Sequence, residues 1–328
     1  MKKIDVTSSK GIYTVYIQNH LLGHLKEYLD PTKQYVIISD NCIPEVYITK
    51  VKNACKNPIF LSFPAGESSK SLAVFEEITE KLLELNIKKD ACLIALGGGV
   101  TGDLVGFVAS VYLRGIDFIQ IPTTLLSQID SSVGGKVAIN SSKGKNVIGS
   151  FYPPVAVFID PTTLDTLSDR QKSNGMAEMI KYGMIADKEL FYKIKNEDVY
   201  KNFVDFIYRS LLIKKSYVEK DEFDNGLRQS LNFGHTFGHA IESYYAYQKY
   251  LHGEAVAIGM VMVLSKNDVR KELVEVLKKY HLPTDDAVEL PKLKEYINRD
   301  KKNRGELLNI VDVLTIGESV ITKSTFQL

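Results

Sequence analysis

Short, continuously apolar runs recur through the first half of this 328-residue chain and stop near Asp160. Gln34–Ser39, Pro58–Phe63, Ala91–Leu96 and Phe118–Ile121 are too short for packed helices and too apolar for half-exposed strands, so they read as buried strands. Leu72, Phe75, Ile78, Leu82 and Leu85 recur at three- and four-residue spacing, which predicts a helix over residues 71–85. Strands that alternate with helices favour a parallel sheet covered by the helices. The expected fold is therefore an α/β N-terminal domain with a parallel, Rossmann-like sheet.

Beyond Asp160 the texture changes. Ser168–Met184, Val199–Val218, Leu227–Tyr245 and Gly253–Asp268 carry long helical periods, and Leu307–Ile316 reads as extended. Pro153, Pro154 and Pro161 interrupt the chain between the two textures. A first domain over residues 1–160 and a mainly α-helical C-terminal domain over 161–328 are expected. The net charge is +1, so no global basic field points to nucleic acid. No apolar run reaches membrane-spanning length, and no apolar stretch follows Lys2 and Lys3 as in a secretory leader. Cys42, Cys55 and Cys92 fit neither a disulfide framework nor a thiolate zinc spacing, and are expected to be buried, reduced thiols of a cytoplasmic protein.

Chemistry-bearing segments fall in both halves. Gly97-Gly98-Gly99-Val100-Thr101-Gly102-Asp103 follows a strand and opens a helix, and the missing side chains let backbone N–H groups approach a pyrophosphate. The competing reading is a tight strand-to-helix turn without a ligand. Asp40 ends a strand, where an acid can take a ribose hydroxyl or simply cap a turn. Pro64–Lys70 forms a second polar loop after a strand. Gln128–Asn146 is rich in glycine, small hydroxyls and lysine, as a phosphate cradle requires, while Val133, Val137 and Ile139 within it indicate packing.

Three of the six histidines, His235, His239 and His252, lie within eighteen positions. Imidazole suits zinc, and Glu178 is the best carboxylate to complete a set that leaves one coordination position open. His235 and His239 stand four apart, and spacing alone would make both of them ligands. Lys181 falls on the same helical face as Glu178, whereas Lys214 and Arg228 read as solvated cations.

Taken together these motifs closely resemble the 3-dehydroquinate synthase family of sugar-phosphate cyclases. The resemblance rests on the glycine run, Tyr112-Leu113-Arg114-Gly115, Ile121-Pro122-Thr123-Thr124, Asp130–Lys136, Gly144-Lys145-Asn146, Ala177–Gly183 and the two histidine segments, in that order. It implies metal ligands Glu178, His235 and His252, with Zn2+ or Co2+, and moves His239 to a substrate contact. It implies an NAD site from Asp40, the Ala65-Gly66-Glu67-Ser68-Ser69-Lys70 loop, Gly99, Val100, Thr101, Gly102, Asp103, Thr123 and Thr124. Lys136, Lys145 and the Thr163-Leu164-Asp165-Thr166 stretch adjoin it. Substrate and catalytic contacts fall on Asp130, Lys136, Asn146, Lys181, Lys214, Arg228, Asn232 and His239. Arg114 resembles an arginine that reaches the substrate phosphate, across a subunit boundary if the chain pairs, and Lys302 matches a C-terminal substrate lysine.

The implied reaction is conversion of 3-deoxy-D-arabino-heptulosonate 7-phosphate, a phosphorylated sugar acid, to 3-dehydroquinate and phosphate. The partners implied are that small molecule and a second copy of the chain, with no nucleic acid and no membrane. The competing readings are an NAD- and metal-dependent polyol dehydrogenase, a cyclase for another sugar phosphate, and an inactive NAD-binding module. The first has no use for so many anion-binding side chains.

Overall fold

The computed structural model describes residues 1–304 and 308–324, and the side chains of these except at 298–308 and 324. It divides into two compact units, Met1–Leu167 and Ser168–Leu328.

The first unit contains, in chain order, β1 (Lys2–Ser8), β2 (Gly11–Ile17), β3 (Tyr35–Asp40), α1 (Glu45–Ala54), β4 (Ile59–Phe63), α2 (Leu72–Glu84), β5 (Cys92–Gly97), α3 (Gly99–Val111), β6 (Asp117–Pro122), β7 (Lys136–Ser141), β8 (Gly144–Phe151) and β9 (Ala156–Ile159). Seven strands form one sheet in the order β1-β2-β9-β6-β5-β3-β4. Only β1 and β2 pair antiparallel; every other neighbouring pair is parallel.

The four strands expected from the apolar runs are all present: β6, β5 and β3 lie inside this sheet, and β4, only partly buried, forms its edge. Because side chains alternate across a strand, each strand feeds two cores. Val36, Ile38, Leu93 and Ala95 pack with Leu104, Val105 and Phe107 of α3. Tyr35, Ile37, Ile94 and Leu96 pack on the other face with Leu21, Leu25, Tyr47 and Val51. Burial on both faces is what the continuous apolar runs required. The Gln128–Asn146 segment, read as a packed loop, is a tight helical turn over Ser127–Ser131 followed by the β7–β8 hairpin. Val133, Val137 and Ile139 are buried as the packing argument required.

The glycines of the α3 region meet a packing demand. A Cβ on Gly97 would lie 2.3 Å from Thr101 Oγ1, one on Gly102 2.8 Å from Gln120 Oε1, and one on Gly106 2.4 Å from Val137 Cγ1. The helix therefore sits flush against the sheet and the hairpin. Of the three cysteines, Cys92 is buried and its thiol is pushed up to about 12, chiefly by burial, whereas Cys42 is exposed, contrary to expectation.

The second unit contains α4 (Asp169–Ala186), α5 (Lys188–Asn196), α6 (Phe203–Lys220), α7 (His235–Tyr244), α8 (His252–Val263), α9 (Asn267–Lys279), α10 (Leu290–Arg304) and a hairpin of β10 (Leu308–Thr315) and β11 (Glu318–Ser324). Three expected helices are broken. Val199–Val218 opens with a 3-10 turn over Val199–Lys201, and α6 begins only after Asn202. Leu227–Tyr245 splits into a 3-10 turn over Leu227–Asn232 and α7, because Gly234 adopts φ 79. Gly253–Asp268 ends at Val263, and α9 begins after Lys266. A Cβ on Gly234 would lie 2.8 Å from the Val256 carbonyl oxygen, and one on Gly259 2.0 Å from the Gly234 carbonyl oxygen. The glycine break thus lets α7 and α8 approach at backbone distance, which brings their histidine-bearing N-terminal ends together. No helix among the described residues is long and apolar enough to cross a membrane.

Candidate active site and metal centre

In the second unit, α4 carries Glu178, α7 opens with His235 and α8 opens with His252. Their ligand atoms converge. Nε2 of His235 lies 3.7 Å and Nε2 of His252 3.8 Å from Glu178 Oε1. Glu178 is 1% exposed and its Oε1 has no hydrogen-bond partner. A buried carboxylate oxygen left without a donor is costly in isolation. A cation between it and two imidazoles removes that cost, so this donor set fits a divalent metal of the zinc or cobalt type.

Both rings are oriented from behind. His235 Nδ1 lies 3.1 Å from the Phe233 carbonyl oxygen, and His252 Nδ1 lies 3.2 Å from Glu242 Oε2. Each contact places the proton on Nδ1 and turns the Nε2 lone pair toward Glu178. Burial, then the charge of Lys181 and the neighbouring imidazoles, holds His235 well below the usual histidine range, so it stays in the neutral form a metal requires. Burial opposes charge on His252 as well, but the hydrogen bond and charge of Glu242 outweigh it and raise that group.

His239, which spacing alone made a ligand, is exposed and stands outside the Glu178 set. It is grouped instead with Glu242 and His252, its ring 5.9 Å from that of His252. Lys181 is buried on α4 with its ammonium against Glu178 Oε2. Lys214 and Arg228, read as solvated on the sequence alone, are 5% and 4% exposed. Burial of two such cations is a demand for anionic or polar partners. Arg228 Nη1 donates to the Glu222 carbonyl at 2.5 Å, and its backbone N–H donates to Asp221 Oδ2 at 3.0 Å. Asn232 ends the same 3-10 turn, partly buried. The side chain of Lys302 lies outside the described residues.

In the first unit, Asp40 stands at the C-terminal end of β3. Its Oδ2 accepts from Thr101 Oγ1 at 3.2 Å, and its Oδ1 from the backbone of Cys42 at 2.9 Å. Gly98 caps α3 with no side-chain hydrogen bond, so the first N–H groups of Gly99, Val100 and Thr101 have no acceptor within the helix. The Ala65–Ser68 loop is exposed, but Lys70 is buried and donates to Asp103 Oδ2 at 2.6 Å and to Asn146 Oδ1. Asn140 Nδ2 donates to Glu67 Oε1 at 2.7 Å, and Asn140 Oδ1 accepts from the Asn146 backbone at 2.9 Å. The Gly66–Lys70 loop, the first turn of α3 and the β7–β8 hairpin therefore form one polar network, in which Asn146 joins residues assigned to NAD.

Thr123 donates from its backbone to the Gly97 carbonyl at 3.0 Å, and Thr124 exchanges hydrogen bonds with Ser127, where the Asp130 turn begins. Lys136 is exposed and Lys145 half-buried. Thr163 and Leu164 are buried, with the Thr163 hydroxyl bonded to the Asp160 carbonyl, while Asp165 and Thr166 are exposed. Arg114 is exposed on a left-handed pair, Leu113 and Arg114, at φ 48 and 63. Lys89 bonds the carbonyls on either side of it, at Leu113 and Gly115. Sequence reasoning missed Glu242, Lys89 and Asn140; Glu242 lay inside the histidine segment, but its partner stands ten positions on, across a turn.

Solved structures of the same fold name the class. One is 2-epi-5-epi-valiolone synthase from Streptomyces hygroscopicus subsp. jinggangensis 5008 with NAD+ and Zn2+ bound, 26% identical, covering 95% of this chain and 92% of that one, TM-score 0.85. Another is 2-deoxy-scyllo-inosose synthase complexed with carbaglucose-6-phosphate, NAD+ and Co2+, 25% identical, covering 98% and 96%, TM-score 0.86. The fold is that of the sugar-phosphate cyclases. Within that class, residues 60–174 match the family model for the 3-dehydroquinate synthase N-terminal region and residues 175–303 that for its C-terminal region. The 3-dehydroquinate synthase of Clostridium kluyveri is 43% identical over 98% of this chain and 96% of its own length. The chain belongs to the 3-dehydroquinate synthase family and is an enzyme of the lyase type.

Proposed function

We propose that this chain converts 3-deoxy-D-arabino-heptulosonate 7-phosphate to 3-dehydroquinate and phosphate, with NAD and a divalent metal, as a homodimer in the cytoplasm. The observation that carries the reading is the Glu178–His235–His252 set, with its partnerless buried carboxylate oxygen, in a chain of this family. Identity of 43% to a named dehydroquinate synthase, against 25–26% to the valiolone and inosose synthases, supports this substrate over those of the related cyclases.

When bound, the metal supplies Lewis-acid polarisation of substrate hydroxyls and NAD supplies a reversible hydride acceptor. The protein's share is binding, orientation and charge. Glu178, His235 and His252 hold the metal. Asp40 takes a ribose hydroxyl, and the α3 N-terminus with the Ala65–Lys70 loop takes the pyrophosphate. Thr123, Thr124, Lys145, Asp165 and Thr166 complete that side. Lys136, Lys181, Lys214, Arg228 and Arg114 bind the phosphate and carboxylate of the substrate, and Asp130, Asn146, Asn232 and His239 orient its hydroxyls. The number of cations in this set supports this reading over a polyol dehydrogenase, whose neutral substrate carries no phosphate or carboxylate for them to bind.

The test is phosphate release from the heptulosonate phosphate by purified protein, with and without NAD+, after chelation and after zinc is restored. Release that needs both NAD+ and metal, with dehydroquinate formed and no net NADH, is expected. Steady NADH accumulation with a polyol and no phosphate release overturns the proposal.

A further inference from the structure

α4 presents Arg170, Asn174 and Glu178 at four-residue intervals, a single helical face. Glu178 belongs to the metal cluster. The other two side chains bind the N-terminus of α8 on both sides of its first residue, His252. Arg170 Nε and Nη2 donate to Glu254 Oε1 and Oε2, each at 2.7 Å, and Nη2 also donates to the Lys249 carbonyl at 3.1 Å. Glu254 Oε2 in turn accepts from the Leu251 backbone N–H at 2.8 Å, directly before the histidine. Asn174 Oδ1 accepts from the Gly253 backbone N–H at 2.6 Å, directly after it. A Cβ on Gly253 would lie 2.0 Å from the Asn174 carbonyl oxygen, so the chain there runs against the α4 backbone with no spare room. None of these groups touches the imidazole.

The Arg170 and Asn174 bonds tie the start of α8, which carries His252, to the helix that carries Glu178, and the Glu254–Leu251 bond closes the α8 N-terminus on itself. Metal–ligand distances tolerate only about 0.2 Å of error, and a helix end held by water alone does not keep that tolerance. The planar fork of Arg170 on Glu254 adds direction as well as attraction.

We infer that Arg170 and Asn174 are positioning residues that set the His252–Glu178 spacing for metal. This inference rests on the reading of Glu178, His235 and His252 as the metal ligands. Zinc affinity of the full chain is measured by competition with a chelator for wild type, R170A, R170K, N174L, N174D and H235A, and the unfolding midpoint of each zinc-free variant is recorded alongside. N174L removes the acceptor at similar volume and N174D restores it; R170K keeps one of the two donations. N174L and R170A are expected to lose zinc affinity about 10–100-fold, with N174D and R170K recovering most of it. The visible absorption of the Co2+-loaded N174L protein is expected to change shape as one ligand moves.

Wild-type zinc affinity in both N174L and R170A, with zinc lost in H235A, overturns the inference and leaves the metal reading standing. Zinc retained in H235A overturns the metal reading itself. A lowered zinc-free unfolding midpoint with unchanged zinc affinity makes the two residues structural only, which also overturns it. If N174L does not fold, R170A decides the matter, since the Arg170 side chain is 59% exposed and no core depends on it.

Discussion

Glu242 accepts from Nδ1 of His252 at 3.2 Å, and that contact decides which ring nitrogen is left to face Glu178. The two residues stand on consecutive helices, and Glu242 is almost fully buried. Its carboxylate is thereby placed to hold one tautomer and one ring orientation of His252. Removing it is expected to lower zinc affinity about 10–100-fold. The measurement is chelator competition on E242A, with E242Q, which keeps an acceptor oxygen, falling between it and wild type. Equal zinc affinity in all three proteins defeats the expectation.

The ligand set itself predicts a sharper loss. E178Q and H235A are expected to purify without stoichiometric metal, read by elemental analysis after dialysis. E178Q replaces the one anionic donor with a neutral amide beside the buried Lys181 ammonium, so Coulomb attraction for the cation disappears. Full metal occupancy in either variant shows the ligands to be elsewhere.

Arg228 predicts the opposite pattern. R228A is expected to keep its metal and to lose turnover by about a hundredfold or more, the scale of a missing charged donor in a closed site. Elemental analysis and a phosphate-release assay on the same preparation separate the two effects. Wild-type turnover in R228A removes the case for a carboxylate contact there.

Packing predicts the cost of one methyl group. G106A places a Cβ 2.4 Å from Val137 Cγ1 and 3.1 Å from the Phe118 ring. Alanine gains up to about 1 kcal/mol in a helix interior, but overpacking costs about 1–3 kcal/mol, so net destabilisation is expected in denaturant unfolding. G23A, with no atom within 4 Å of its new Cβ, is the control and is expected to be neutral within about 1 kcal/mol.

Acid stability has a named contributor in the second unit. Asp286 accepts from Lys249 at 2.7 Å, Tyr250 at 2.6 Å and Tyr245 at 2.8 Å. Burial raises its carboxyl, but these donors outweigh burial and bring it down to about 2. A carboxyl lower in the folded than in the unfolded state adds stability above its unfolded value near 4 and loses it as pH falls toward 2. Wild type should exceed D286N by about 1–2 kcal/mol at pH 6 once solvent screening is allowed for. That gap should close between about pH 4 and pH 2. A gap that does not change with pH assigns the loss to packing instead.

The central strands were legible because burial on both sheet faces leaves a continuous apolar run, as in Cys92–Gly97, where every residue is buried. β1 and β2 were not, because an edge hairpin mixes exposed and buried positions, and β9 was hidden by its four-residue length next to Pro153 and Pro154. The β7–β8 hairpin carries a loop-like composition because its polar residues bind the Lys70 and Glu67 side chains rather than solvent alone. The break at Gly234 was invisible to periodicity, since a left-handed glycine interrupts the backbone without interrupting the spacing of apolar residues.

By itself the sequence determined which groups were available: the apolar runs of the sheet, the glycines of α3 and α7, and the Glu178, His235 and His252 donors. Those are properties of residue type and local spacing. Spacing alone left His239 among the ligands and the motif order removed it; tertiary structure alone decided that Lys214 and Arg228 are buried, and that Glu242, Asn174 and Arg170 surround His252. Each of these depends on how α4, α7 and α8 approach one another. That approach is fixed by backbone contacts at Gly234, Gly253 and Gly259, and pattern along a single chain does not encode a distance between helices.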